Sequence, residues 1–148
     1  MEIERKFTVK NLPDLSKYAS KELIQGYLNT DPVVRIRREG ENFFLTYKGR
    51  GLLAREEYNL PLNKDSFEHM LPKADGIVIH KTRYYIPYEK YTIELDVFHG
   101  ELESLIMAEV EFESEAEAHA FVAPDWFLED VTMDKRYHNS NLSKNGFQ

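Results

Sequence analysis

Charged and apolar residues alternate with a period of two in segment after segment of this chain, a pattern that strands satisfy and helices do not. The chain opens Met1-Glu2-Ile3-Glu4-Arg5-Lys6-Phe7. As an extended strand it throws Glu2, Glu4 and Lys6 onto one face and Ile3 and Phe7 onto the other. Around 33–38, Arg35 and Arg37 oppose Val34 and Ile36, and in the next segment Phe44, Thr46 and Lys48 oppose Phe43, Leu45 and Tyr47. Across 55–60, Arg55, Glu57 and Asn59 oppose Glu56, Tyr58 and Leu60. Across 77–86, Lys81, Arg83 and Tyr85 oppose Val78, Thr82, Tyr84 and Ile86, with His80 on the apolar side. Residues 91–97 set Thr92, Glu94 and Asp96 against Tyr91, Ile93, Leu95 and Val97. Residues 106–113 set Met107, Glu109, Glu111 and Glu113 against Ile106, Ala108, Val110 and Phe112.

An antiparallel sheet with one buried and one solvated face gives such alternation. Two details go further. The charged faces are dominated by Arg and by Asp or Glu, each strand largely carrying one sign, and the apolar faces carry large aromatics that need substantial cover. Helices supply it: one expected from Leu12-Pro13-Asp14 through Lys21, one from Lys64 to Leu71 ending before Pro72, and one from the capping-box pair Ser114 and Glu117 to about Val122. With helices outside, the charged faces point inward. Desolvating an ion costs several kcal/mol, against a whole-domain stability of about 5–15 kcal/mol, so these ions must line a hydrated bore. A closed antiparallel barrel with a polar, charged interior meets that requirement and removes exposed edges. Inside it, Glu2, Glu4 and Lys6 form the kind of group that holds a hard divalent cation and the phosphate it bridges.

The remaining bounds are compatible with this. At 148 residues, 42% hydrophobic and 13% aromatic, the chain reads as one folded domain over 1–148. It has no cysteine, which removes thiolate metal sites and cysteine nucleophiles. No apolar run is long enough to span a bilayer and the start is not signal-like, so a cytoplasmic location without a membrane partner is expected. The net charge of −7 argues against a nucleic-acid partner, although a focused basic cavity can coexist with an acidic exterior. The five histidines show no triad grouping or metal spacing, and Lys48-Gly49-Arg50-Gly51 reads as a hairpin turn rather than a phosphate loop.

Taken together, E-I-E-R-K at the amino terminus, R-I-R at 35–37, L-T-Y-K at 45–48, R-E-E at 55–57, K-T-R at 81–83, E-L-D at 94–96, E-V-E at 109–111 and the tail V-T-M-D-K-R-Y-H-N-S-N-L resemble the CYTH branch of the triphosphate tunnel metalloenzymes, nearly end to end. The resemblance implies an α+β fold built on an eight-stranded antiparallel β-barrel tunnel covered by a few short helices. It implies Mg²⁺ or Mn²⁺ held by Glu2, Glu4, Glu109 and Glu111, and a phosphate clamp of Lys6, Arg35, Arg37, Lys48, Arg55, Lys81 and Arg83. It also implies that Arg55 and Glu57 pair a phosphate ligand with a carboxylate that places water, supported by Glu94 and Asp96. Lys6, Arg37, Arg55 and Glu57 thus carry the catalytic roles, while Lys135 and Arg136, after a short helix expected near Thr132, cap one mouth.

Hydrolysis by alignment and charge neutralisation is the economical chemistry for such a site. Because the chain carries no evident base-reading insertion, a small-molecule triphosphate or polyphosphate is the expected substrate. Inorganic tripolyphosphate leads and nucleoside triphosphates are weaker. Class IV adenylyl cyclase, thiamine triphosphatase and a non-catalytic triphosphate sensor are the alternatives.

Overall fold

The alternating segments become strands of one antiparallel sheet in the structure, a computed structural model that describes residues 1–147. They are β1 (Glu2–Val9), β2 (Ala19–Thr30), β3 (Val33–Glu39), β4 (Asn42–Lys48), β5 (Ala54–Arg55), β6 (Glu57–Leu62), β7 (Asp75–Tyr88), β8 (Tyr91–Phe98), β9 (Ile106–Glu111) and β10 (Phe127–Asp130). Their order is β10-β1-β9-β8-β7-β2-β3-β4-β6, with β5 on β1. The pairs Glu2↔Arg55 and Ile3↔Ala54 close the ring, and the Glu4 amide extends that seam by donating to the Leu53 carbonyl at 3.2 Å. Only Glu56 separates β5 from β6, which continues along β4 through Lys48↔Glu57. Counted as one bent strand they complete the expected barrel of eight, to which β10 adds on β1 through Phe7↔Asp130.

The helical cover is sparse. Helix α1 (Lys64–Met70) starts where the Asn63 side chain accepts from the Ser66 amide at 2.7 Å, and it buries Phe67 against Phe43. Helix α2 (Glu115–Ala120) starts as its capping pair foretold, the Ser114 hydroxyl accepting from the Glu117 amide at 3.1 Å. Beneath it lies the outer core: Phe7 from β1, Ile93 and Leu95 from β8, Ala108 and Val110 from β9, with Phe112, Phe121 and Phe127 stacking around them. Helix α3 (Asn139–Asn145) instead sends Leu142 toward the barrel interior, where it meets Tyr27, Ile79, Phe98, Met107 and Val131.

Two local expectations are corrected. Residues 12–21 do not form a helix. Asp14 caps a single 3-10 turn, Leu15–Lys17, and the chain then enters β2, whose first residues Ala19–Leu23 pair with Tyr85–Lys81 of β7. A helix there would leave that edge of β7 unpaired, and only Leu15 and Tyr18 offer apolar contact with the core. Near Thr132 there is no helix but a side-chain turn, the Thr132 amide donating to Asp130 at 2.9 Å, followed by a 3-10 turn at Lys135–Tyr137 and then α3. No described helix is long and apolar enough to cross a membrane.

Candidate active site

Cross-strand partners share a face, so registers such as Lys6↔Glu109, Glu94↔Glu109 and Arg83↔Asp96 carry the charged sides of neighbouring strands to one inner wall. They enclose a chamber of about 120 Å³. Its lining includes Glu2, Glu4 and Lys6 from β1, Arg35 and Arg37 from β3, Lys48 from β4 and Arg55 and Glu57 from the β5–β6 bend. Arg83, Glu94, Glu109 and Glu111 complete the charged wall from β7, β8 and β9.

The ions sort into two groups. Lys48 Nζ sits 2.9 Å from both oxygens of Glu2 and 3.3 Å from Glu57, and Arg55 Nε lies 3.4 Å from Glu2. Across the chamber Arg83 grips Asp96 through two nitrogens at 2.7 and 2.9 Å, reaches Glu94 at 3.0 Å and faces Glu109 at 3.7 Å, while Lys6 lies 3.5 Å from Glu109. Between these groups, two guanidiniums are left over. Arg35 is 4% exposed yet forms no ion pair among the described residues, and its Nε has no hydrogen-bond partner. Arg37 has one ion-pair contact, Glu39 at 3.4 Å, and its Nε is likewise unpartnered. A buried polar group without a partner costs about 1–3 kcal/mol, more when charged, so folding alone does not account for these two donors.

Burial and neighbouring charge set the protonation states. Burial raises the Glu4 carboxyl and Glu109 beside it adds to this, giving a value of about 8. For Glu2, burial also pushes upward, but Lys48 outweighs it and brings the group to about 2. Burial opposes ionisation of Glu109 too; Lys6 and Arg83 override it and hold the carboxylate well below its ordinary range. Burial, with Arg35 and Arg83 nearby, lowers Arg37 to about 10. Glu4 stands directly opposite Glu111 in the β1–β9 ladder, so ionising both would set like charges against each other unless a cation lay between them. Such a set of oxygen donors suits a hard divalent ion. Among the described residues no three acidic or imidazole groups stand close enough to hold one as they are, because Glu2 and Glu109 are drawn to their lysine and arginine partners.

Most of the residues singled out from the sequence meet in this chamber, and four do not: Lys81, Asp96, Lys135 and Arg136. Lys81 lies fully buried outside it, 2.7 Å from Asp96 and against the Phe98 ring. Burial lowers its ammonium to about 8 despite Asp96. Lys135 sits in an adjoining cavity, and Arg136 folds back onto Asp134 at 2.7 Å, away from the bore. Tyr27, which the sequence offers as a ring at the tunnel mouth or a core residue, lines the chamber, and so do His138, Asn139 and Ser140, which the sequence reading missed. Tyr27 belonged to the unrecognised strand β2, where Gln25 and Tyr27 have inward parity. His138, one of the five histidines without triad grouping or metal spacing, donates from Nε2 to the Thr132 carbonyl at 2.9 Å beside the chamber.

A closed antiparallel barrel whose inner wall sets unpartnered guanidiniums beside clustered carboxylates is a charged tunnel rather than an apolar-cored barrel. The CYTH domain profile matches residues 1–145, and the chain belongs to that family. It is 45% identical over 147 residues to an inorganic triphosphatase of Nitrosomonas europaea, covering 96% of each chain. It is 38% identical over 156 residues to an inorganic triphosphatase of Acetivibrio thermocellus, covering 99% of this chain and 96% of that one. A crystal structure of an inorganic triphosphatase superposes with a TM-score of 0.72 at 41% identity, over 97% of this chain and 94% of that chain. A conserved hypothetical protein from Pyrococcus furiosus, 17% identical, shares the fold with a TM-score of 0.61 over 86% of this chain and 95% of its own.

Proposed function

We propose that this protein hydrolyses the terminal phosphoanhydride of inorganic tripolyphosphate, using Mg²⁺ or Mn²⁺ held by Glu2, Glu4, Glu109 and Glu111, with nucleoside triphosphates as weaker substrates. One observation carries the reading: Arg35 and Arg37 present buried, unpartnered nitrogens to a chamber whose opposite wall bears these carboxylates. Its relatives named as inorganic triphosphatases support the same assignment.

The internal ion pairs are exchangeable. Lys6, Lys48, Arg55 and Arg83 neutralise Glu2 and Glu109 in the free protein. When a polyanion takes those cations, together with Arg35 and Arg37, the carboxylates regain free oxygens for a divalent ion. Bound there, the ion supplies neutralisation of charge on the phosphoryl oxygens. Arg35, Arg37, Lys48 and Arg83 orient the phosphates and stabilise the charge that spreads over the transferring group. Glu57, beside Lys48 and accepting from Asn59 at 3.2 Å, orients the attacking water, and Arg55, released from Glu2, joins the phosphate clamp. No nucleophilic side chain is required. The narrowness of the chamber favours inorganic substrate, because a heterocycle must remain outside.

The test is phosphate release from tripolyphosphate and ATP with Mg²⁺ or Mn²⁺. Release with a preference for tripolyphosphate, abolished in Glu4→Ala and in Glu111→Ala, supports the proposal. Tight binding of tripolyphosphate with no release by the unmodified protein overturns it in favour of a sensor.

A further inference from the structure

Two cavities of opposite character adjoin the chamber. On one side lies a vestibule of about 620 Å³ that shares Val33, Arg55, His138 and Ser140 with it. Arg50, Lys135 and Lys144 add positive charge to this wall. Its one acid, Asp31, lies 3.1 Å from Arg50, while Lys135 and Lys144 have no ion-pair partner among the described residues. On the other side a cavity of about 530 Å³ shares Glu94 and Glu111 with the chamber and adds Glu113 and Glu117. The single base there, Lys90, is paired with Glu117 at 3.2 Å. A field of this polarity draws a polyanion through one mouth and repels it at the other.

We propose that the vestibule is the mouth through which substrate arrives and a binding subsite for a linear phosphate chain longer than the chamber holds, with Arg50, Lys135 and Lys144 gripping the additional phosphoryl units. This rests on the chamber being a phosphate-binding site. No Phe, Tyr or Trp lines the vestibule, and its one imidazole, His138, is held by the Thr132 carbonyl at 2.9 Å, so a base finds no large ring platform there. Its cations instead match a repeating anion: ammonium and guanidinium groups bind phosphate oxygens wherever along a chain they fall. The vestibule is also roomier than the chamber, so extra phosphates can be accommodated without rearranging the inner ion pairs. The ligand class is therefore linear inorganic polyphosphate in preference to an organic triphosphate of similar length.

The experiment is calorimetric binding without divalent metal, which requires no turnover, comparing linear tripolyphosphate, a longer linear polyphosphate and ATP on the unmodified protein and on the double variant Arg50→Ala/Lys144→Ala. A longer chain has more binding registers in either protein, so the readout is how its affinity relative to tripolyphosphate changes between the two. The proposal expects that advantage to shrink on the order of fivefold in the variant, as loss of exposed charge-assisted contacts implies, with a shallower salt dependence and no comparable change for ATP relative to tripolyphosphate. A ratio unchanged within about twofold, or an equal loss for all three ligands, overturns the vestibule subsite. Both exchanges are at solvent-exposed positions, and the charge reversal Lys144→Glu gives an independent check that should move the ratio in the same direction. Failure of tripolyphosphate to bind the unmodified protein at all would instead remove the chamber assignment on which the subsite rests.

Discussion

The inner wall of this barrel has two sectors that share strands but not chemistry. Along β7, Arg83 enters the charged chamber, whereas Ile79, on the same face, packs with Phe98, Met107, Val131 and Leu142. The apolar sector removes hydrocarbon from water and supplies stability at about 25 cal/mol per Å² buried. The charged sector holds ions that are imperfectly paired, and each costs stability for as long as the bore is without its ligands. Lys81 and Asp96 lie on the boundary: fully buried, paired at 2.7 Å, and bracing Arg83 from behind. The barrel is thus held together by one sector so that the other can remain unsatisfied.

That contrast can be broken most strongly in the apolar sector. Phe98→Ala should lower stability by about 3–5 kcal/mol in denaturant unfolding, through lost burial and the cavity left behind. A loss under about 1 kcal/mol would mean that this sector does not carry the fold. In the charged sector the expected pattern reverses. Arg35→Ala should reduce turnover on the order of 10²-fold or more while leaving the melting temperature unchanged or higher, since it removes a buried cation that folding does not pair. Turnover within about twofold of the parent would remove Arg35 from the clamp.

The smallest effect lies outside both sectors, where Asp130 receives Arg5 at 2.8 Å and binds the Thr132 amide along the β1–β10 seam. Burial raises this carboxyl, but Thr132 and Arg5 outweigh it and lower it below the ordinary aspartate value of 3.8. Its stabilisation is therefore present above the unfolded-state value and is lost as pH falls through the lowered one. Because the pair is largely solvated, Asp130→Asn should cost less than about 1 kcal/mol at neutral pH, with the difference vanishing in acid. A cost that persisted unchanged below that window would show that the carboxylate charge is not what the seam uses.

Much of this arrangement is legible in residue parity. The alternation in Glu2-Ile3-Glu4-Arg5-Lys6 and in Arg35-Ile36-Arg37 places the chamber side chains correctly, because parity alone fixes a strand residue's face. It does not fix position along the bore. Lys81 has the parity of Arg83 but falls behind the chamber wall, because the stagger of the strands brings Phe98 opposite it and Asp96 opposite Arg83. Met107 shares a face with Glu109 yet belongs to the apolar sector for the same reason. Strand β2 was hidden because its first four residues are exposed and carry no apolar stripe, and because Gly26 interrupts the pattern where Ala74 packs close against it. The tail revealed its composition but not its fold, since the approach of Leu142 to Ile79 and Phe98 is a long-range contact without a local signature.

The most direct measurement is an anomalous difference map from crystals grown with Mn²⁺ and tripolyphosphate. The account expects a manganese peak within bonding distance of the Glu2, Glu4, Glu109 and Glu111 carboxylates, with the phosphate chain against Arg35 and Arg37. Manganese and phosphate bound only outside the barrel, with Glu2 still on Lys48 and Glu109 still on Lys6 and Arg83, would contradict it.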